Sequence, residues 1–414
     1  MKELFNNYVQ DLETYIMIKI KMEASRLAPE LTKRNRKPIS LAMGAPVEKP
    51  PRLAADKIKE YADTDGMHTY TLVKGEDYLL NSIAEHMKMR TGTSFDTKTE
   101  ICALIGSKEG LANLIRALIN PAASEKDKEI ILLPNPGYAS YKEMVKVSGG
   151  LAYGIPLTPE NNYMPNLDEI KRQLEKDGYS FDKVKAVIIN YPNNPIGAVC
   201  TKEYLEHAVN FCRRHKILLI SDAAYIDLTY GGSPKAPSVF DIKDAKDTAV
   251  EFYSFSKPFS MTGWRIGWIC GNSEAVDVLS KLKSTIDTGI YKPIQKAAAD
   301  ILNSKEGAEY IKEANKRFER KQKIMIDGFR ELGWPVDKLN PPKAAFYLWM
   351  PVPPKYKTSK EFTDAVLNKS GIVLVPGNAF GSKGEGWFRL SITASEDDMR
   401  ETVRRLKEDG FKFE

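Results

Sequence analysis

Residues 254–265 read Ser-Phe-Ser-Lys-Pro-Phe-Ser-Met-Thr-Gly-Trp-Arg, a spacing of hydroxyls, lysine and arginine that can do chemistry on an aldehyde carrying a phosphate. Lys257 follows the apolar, β-prone run AVEFY at 249–253, where a strand gives way to a loop. A lysine so placed can be partly desolvated. Desolvation and nearby cations favour the neutral amine, the form that attacks a carbonyl to make a Schiff base. Ser254 and Ser256 before it and Arg265 after it supply donors suited to a dianionic phosphate. Together these demands point to pyridoxal phosphate. Taken alone, however, Ser-Phe-Ser-Lys is also what a solvated lysine in a polar loop looks like, so other stretches must decide.

Several stretches answer the needs of that cofactor. Asp222 ends the apolar run ILLISD and can hold a proton on a ring nitrogen, while Tyr225 and Asn194 can donate to a ring oxygen. Each has a commoner use, since aspartate after a strand caps helices and Asn-Pro makes turns. Gly106-Ser107-Lys108-Glu109-Gly110 opens a helical stretch, so Ser107 and Lys108 can present backbone N–H groups to a phosphate. Gly44, between an apolar run and Pro46, permits a turn or a close approach to a ligand.

The elements that position these residues alternate. Strand-like runs at 101–105, 129–133, 151–156, 184–190, 217–221, 249–253 and 266–270 are interleaved with helical periodicity at 78–89, 111–118, 136–147, 167–177 and 202–215. This predicts an α/β fold with a mostly parallel sheet covered by helices on both faces. Ligands of such sheets sit beyond the carboxyl ends of the strands, so 106–108, 134–138, 191–197, 222–225 and 254–257 share one rim. From 304 the texture changes to a long charged helix, short strand-like runs at 344–350, 371–375 and 387–393, and a terminal helix at 396–409. We read 1–50 as an N-terminal arm and the start of a small domain, 51–303 as the large cofactor-binding domain, and 304–414 as a smaller α+β domain. A chain of 414 residues is long enough for two such cores.

Composition narrows the function classes. A net charge of +6 over this length, with no basic block, gives no reason to expect nucleic acid. The most apolar N-terminal run, 15–22, is broken by Lys19 and Lys21, so neither a signal peptide nor a membrane span is expected. Four scattered cysteines without a CxxC pair and only four histidines imply no metal site, no disulfide framework and a cytoplasmic location.

In this order the motifs resemble a fold-type I, pyridoxal-phosphate-dependent aminotransferase of class I and II over nearly the whole chain. The resemblance is carried by Tyr70 with Gly75, Gly106-Ser107-Lys108, Pro134-Asn135-Pro136-Gly137-Tyr138 and Asn193-Asn194-Pro195-Ile196-Gly197. Asp222-Ala223-Ala224-Tyr225, Ser254-Phe255-Ser256-Lys257 with Arg265, and Pro376-Gly377 with Phe388-Arg389-Leu390-Ser391 complete it. It implies that Lys257 carries the cofactor and acts as acid and base, that Asp222 pairs with the ring nitrogen, and that Tyr225 and Asn194 bind the ring oxygen. Tyr138 is expected to stack on the ring. Ser107, Lys108, Ser254, Ser256 and Arg265 are expected to hold the phosphate, with Tyr70 reaching in from a second subunit of a homodimer. Arg389, helped by Gly44 and Asn194, is expected to grip the α-carboxylate of an amino acid or 2-oxo acid. One departure is Ile196, where the family usually has threonine; the lost hydroxyl bears on the loop more than on the chemistry. The family often has a cis bond before the following-turn proline, here Asn194-Pro195.

The resemblance leaves the amino donor open among diaminopimelate, alanine and aspartate. No second arginine occurs in TIDTGIY at 285–291, leaving Lys292 or the Lys108 side chain as the cation for a distal carboxylate. The same scaffold also hosts β-lyases and cyclopropane-forming synthases, which keep the lysine. A non-catalytic regulatory module is the third reading.

Overall fold

The computed structural model describes residues 4–122, 124–339, 341 and 343–414. Its centre is a seven-stranded sheet in the spatial order Ile101–Leu104, Gly267–Gly271, Ala249–Ser254, Leu218–Asp222, Val184–Ile189, Ile130–Asn135 and Leu151–Pro156. Alternate residues of these strands go to opposite faces. Ile131, Ile188, Ile220 and Phe252 pack on one side with Leu111, Leu114 and Val276, whereas Leu132, Val187, Leu219 and Tyr253 pack on the other with Ile83, Leu205 and Ala298. Both faces are therefore apolar and both are covered by helices, the arrangement a mostly parallel sheet requires.

Gly267–Gly271 is the exception, antiparallel to both neighbours. No helix separates it from Ala249–Ser254, only the loop that bears Lys257 and the short turn Thr262–Trp264. Without a crossover helix the chain returns in the opposite sense. The fold class is α/β, as the alternation of elements predicts.

Three further differences have local causes. The helix read from 111 starts at Ser107, which puts Ser107 and Lys108 in its first turn. The run at 371–375 is two pieces, because Ile372–Val373 pairs with Ile39–Ser40 while Val375–Pro376 turns to Trp387–Ser391. The strand read from 344 starts at Tyr347, because Ala345 takes a positive φ of 54° in a turn. Helices Ser273–Lys283 and Lys292–Leu302 were not read from the sequence.

A second apolar cluster joins the antiparallel strands Val375–Pro376, Trp387–Ser391 and Tyr347–Pro351 to the helices Lys305–Glu331, Ser359–Ser370 and Glu396–Glu408 through Phe329, Phe362, Phe388 and Met399. Among the described residues no helix is long and apolar enough to cross a membrane, and the four cysteines are free and buried.

Candidate active site

Lys257 lies just past the carboxyl end of Ala249–Ser254, a strand buried at every position. Its amine donates to the Gly44 carbonyl at 2.6 Å and sits 5.7 Å from the ring centres of Tyr225 and Phe346. Burial, aided by the positive charges of Arg265 and Arg389 and opposed by Asp222, lowers its pKa to about 8. About a tenth of the amine is then neutral at pH 7, against less than about a thousandth for a solvated lysine, and the neutral amine is the nucleophilic form.

Asp222 ends the neighbouring strand and is 6% exposed. Its Oδ2 accepts from the Tyr141 hydroxyl at 2.5 Å and its Oδ1 from the Ala224 N–H at 3.3 Å. Burial pushes its pKa up against these donors and the more distant Lys257. A cation placed beside it would restore the charged form. The Tyr225 hydroxyl is 2.8 Å from that of Tyr347, and burial holds it far above the ordinary phenol range. The Asn194 Oδ1 accepts from Arg389 at 2.8 Å, which leaves its Nδ2 donor for another acceptor. The Asn194–Pro195 peptide is cis.

At the other end of the cavity Gly106, at φ 82°, leads into the helix Ser107–Leu118, whose N-terminus has no side-chain cap. Its first N–H groups are therefore open to an anion. Arg265 donates to the Ile105 carbonyl at 3.3 Å and to that of Thr262 at 2.9 Å. The φ of 82° favours glycine at position 106, where a Cβ would also crowd the Arg265 guanidinium at 2.3 Å. Ser254 and Ser256 are both buried, and the Ser254 Oγ accepts the Ser256 N–H at 3.1 Å.

Arg389, on the strand Trp387–Ser391, is 3% exposed. It donates to Asn194 and, at 2.6 Å, to the Ala42 carbonyl. Its guanidinium lies 4.4 Å from the ring centre of Tyr347 and 4.7 Å from that of Phe380. Its Nε is buried without a partner. A guanidinium buried with neutral acceptors and one orphaned donor is a site for an anion. A Cβ on Gly44 would stand 2.2 Å from the Tyr347 hydroxyl, which explains glycine at that wall.

Ser107, Lys108, Tyr138, Asn194, Asp222 and Tyr225 thus line one cavity of about 320 Å³, together with Ser254, Ser256, Lys257, Arg265, Gly44 and Arg389. Tyr70 does not line it; this side chain is 87% exposed on the surface. Lys292 is also elsewhere, donating to Thr69 at 2.8 Å and standing 3.8 Å from Glu76. Sequence reasoning passed over Tyr141, Tyr347, Asn190, Tyr15 and Phe380, which form or support the wall. Tyr141 stands in the first turn of the helix Ser140–Val147, just after the Tyr138 loop, and its ring lies 5.3 Å from that of Tyr138. Tyr347 carried no local signal beyond being an aromatic in an apolar strand.

The donor set fits pyridoxal phosphate at both ends. A cationic, uncapped helix start suits its phosphate, a buried carboxylate lacking a cationic partner among the described residues suits its protonated ring nitrogen, and a depressed lysine suits its aldehyde.

Comparison with known proteins agrees with this chemistry. Residues 36–406 match aminotransferase class I and II. The chain is 35% identical over 399 residues to an LL-diaminopimelate aminotransferase of Moorella thermoacetica, covering 96% of each protein. It is 37% identical over 376 residues to LL-diaminopimelate aminotransferase 2 of Trichormus variabilis, covering 91% of this chain and 92% of that one. Substrate-bound BacF from Bacillus subtilis superposes with a TM-score of 0.87 at 28% identity, covering 99% of this chain and 98% of that one. A match this long, over a cavity with this chemistry, places the chain in the class I and II aminotransferases, enzymes that use pyridoxal 5'-phosphate to exchange amino groups between amino acids and 2-oxo acids.

Proposed function

We propose that Lys257 is the amine that holds the cofactor and then moves the substrate proton, and that LL-diaminopimelate is the amino donor. When bound, pyridoxal phosphate supplies an aldehyde carbon that takes up the amino group and a ring that accepts the electron pair released at the substrate α-carbon. The protein's part is positioning and proton transfer. Arg389, which has no acidic partner among the described residues, orients the α-carboxylate. Asp222, steadied by Tyr141, keeps a proton on the ring nitrogen. Tyr225 and the Asn194 amide, which line the same cavity, would donate to the ring oxygen, and Tyr138 would cover the ring. The Lys257 amine is the group that would take the substrate α-proton and hold it for return. Ser107, Lys108, Ser254, Ser256 and Arg265 hold the phosphate. Two half-reactions through one cavity give ping-pong kinetics.

The observation that carries the reading is the sharing of one cavity by a depressed lysine, a buried carboxylate and a buried arginine with no acidic partner among the described residues. The donor rests on the relatives' substrate and on Lys108. Its amine lies 5.0 Å from the Tyr15 ring centre and 6.0 Å from that of Tyr138, with no carboxylate partner among the described residues, which suits a second, distal carboxylate. In a donor panel with 2-oxoglutarate, kcat/KM should be highest for LL-diaminopimelate, by about tenfold or more over aspartate, alanine and tyrosine. A better rate with any of those three refutes the donor assignment and leaves the aminotransferase reaction standing.

We further infer a homodimer in which Tyr70 completes the phosphate site of the partner. Tyr70, Leu72, Ile286 and Tyr291 are all exposed large side chains, and Tyr70 does not line the active-site cavity of its own chain. Light scattering on the active protein should return twice the 46.6 kDa of the chain. A fully active species of single-chain mass removes this part.

A further inference from the structure

Behind the phosphate end of the cavity lies a second lysine, more deeply buried than the first. Lys283 closes the helix Ser273–Lys283 with a side chain of 0% exposure. Its amine is 2.7 Å from each carboxylate oxygen of Asp287 and 3.6 Å from the Oε2 of Glu109. A buried ammonium is costly unless it is paired, so what it pairs with is informative.

Glu109 stands in the first turn of the helix Ser107–Leu118. Its Oε2 accepts the Ile105 N–H at 3.0 Å, and its Oε1 accepts from the Asn113 side chain. The Ile105 carbonyl in turn accepts from Arg265 at 3.3 Å. One residue, Ile105, is thus held through both its N–H and its carbonyl just before Gly106 turns the chain into the helix. The clamp sets two things at once: the direction of the open N–H groups at Ser107 and Lys108, and the place of the Arg265 guanidinium. A carboxylate in the first turn of a helix that receives a phosphate would repel it, and the Lys283 charge, 3.6 Å away, offsets that repulsion.

We propose that Glu109 and Lys283 are positioning residues for the phosphate-binding loop, holding the Ile105–Ser107 backbone in the form that receives the cofactor phosphate. The proposal rests on the reading that the phosphate sits at Ser107, Lys108 and Arg265. Asp287 completes the unit by fixing Lys283 and, through its Oδ1, the Gly289 N–H at 2.8 Å.

The test compares two ligands on the cofactor-free protein: pyridoxal phosphate and pyridoxal, which lacks the phosphate. Glu109→Gln keeps the shape of the side chain, and Lys283→Met removes the charge while keeping most of the stem. Each variant should weaken pyridoxal phosphate by about tenfold or more, the effect of a lost hydrogen bond to a charged group, and change pyridoxal by less than about twofold. Should Lys283→Met not fold, Glu109→Gln decides the matter alone, since Glu109 is the less buried partner. Equal weakening of both ligands, or unchanged affinity for pyridoxal phosphate, overturns the proposal. A wild-type protein that binds the two ligands equally well overturns the phosphate placement itself, and the proposal with it.

Discussion

Lys257→Ala should lose at least about four orders of magnitude in kcat, because it removes both the group that moves the α-proton and the covalent anchor of the cofactor. The variant should still take up pyridoxal phosphate, held by the helix N-terminus, the two serines and Arg265, but the complex should lack the absorbance of an imine to protein. A second measurement separates this lysine from an ordinary one. Its pKa is lowered to about 8 by burial and by Arg265 and Arg389, so the neutral amine is reached at lower pH than for a solvated lysine. Capture of the aldehyde by cofactor-free protein should therefore quicken as pH rises from 6 and level off above about 8. A solvated lysine would keep gaining up to about pH 10.4. Turnover that survives in Lys257→Ala, or a capture rate still climbing past pH 9.5, would remove the lysine from the mechanism.

Much of this site was legible because the fold brings loop starts together. Ser107, Asn194, Asp222 and Lys257 are far apart in sequence, yet each follows an apolar run, and a mostly parallel sheet puts such positions on one rim. Strand Leu151–Pro156 and helix Lys202–His215 could be read with their bounds, since a pure apolar run and a clean helical period leave no competing signal. What escaped was decided by partners distant in the chain. Tyr347 and Phe380 flank Arg389 only because the small antiparallel sheet folds against the loop at 377–380. Tyr15 and Met17 reach the cavity because Ile39–Ser40 pairs with Ile372–Val373 and draws the N-terminal chain across it. No local pattern announces a pairing of two residues with two residues. Lys283 is the clearest case, since a lysine at a helix end among other lysines reads as solvated surface, and only the fold shows its amine enclosed between two carboxylates.

Arg389→Ala should raise KM by roughly 100-fold for every amino acid and every 2-oxo acid, with a smaller fall in kcat. A buried, charge-assisted bidentate pair contributes about 1.5–3 kcal/mol, and each 1.4 kcal/mol is a factor of ten in affinity. Truncation also strips donors from the Asn194 Oδ1 and the Ala42 carbonyl, so Asn194 loses the bond that orients its amide. Arg389→Lys should recover only part of the loss. One ammonium cannot replace a planar fork, and it gives up the stacking between Tyr347 and Phe380. Both variants should keep most of their affinity for pyridoxal phosphate, because Arg389 makes no hydrogen bond to the phosphate loop and only the Asn194 contact to the ring depends on it. The uniformity across substrates is what tests the role. The α-carboxylate is the group common to all amino and 2-oxo acids, so a residue that reads it cannot discriminate among them. If Arg389→Ala impaired diaminopimelate while leaving alanine unchanged, the arginine would be reading a distal carboxylate, and Lys108 would have to be reconsidered as the group that receives the α-carboxylate.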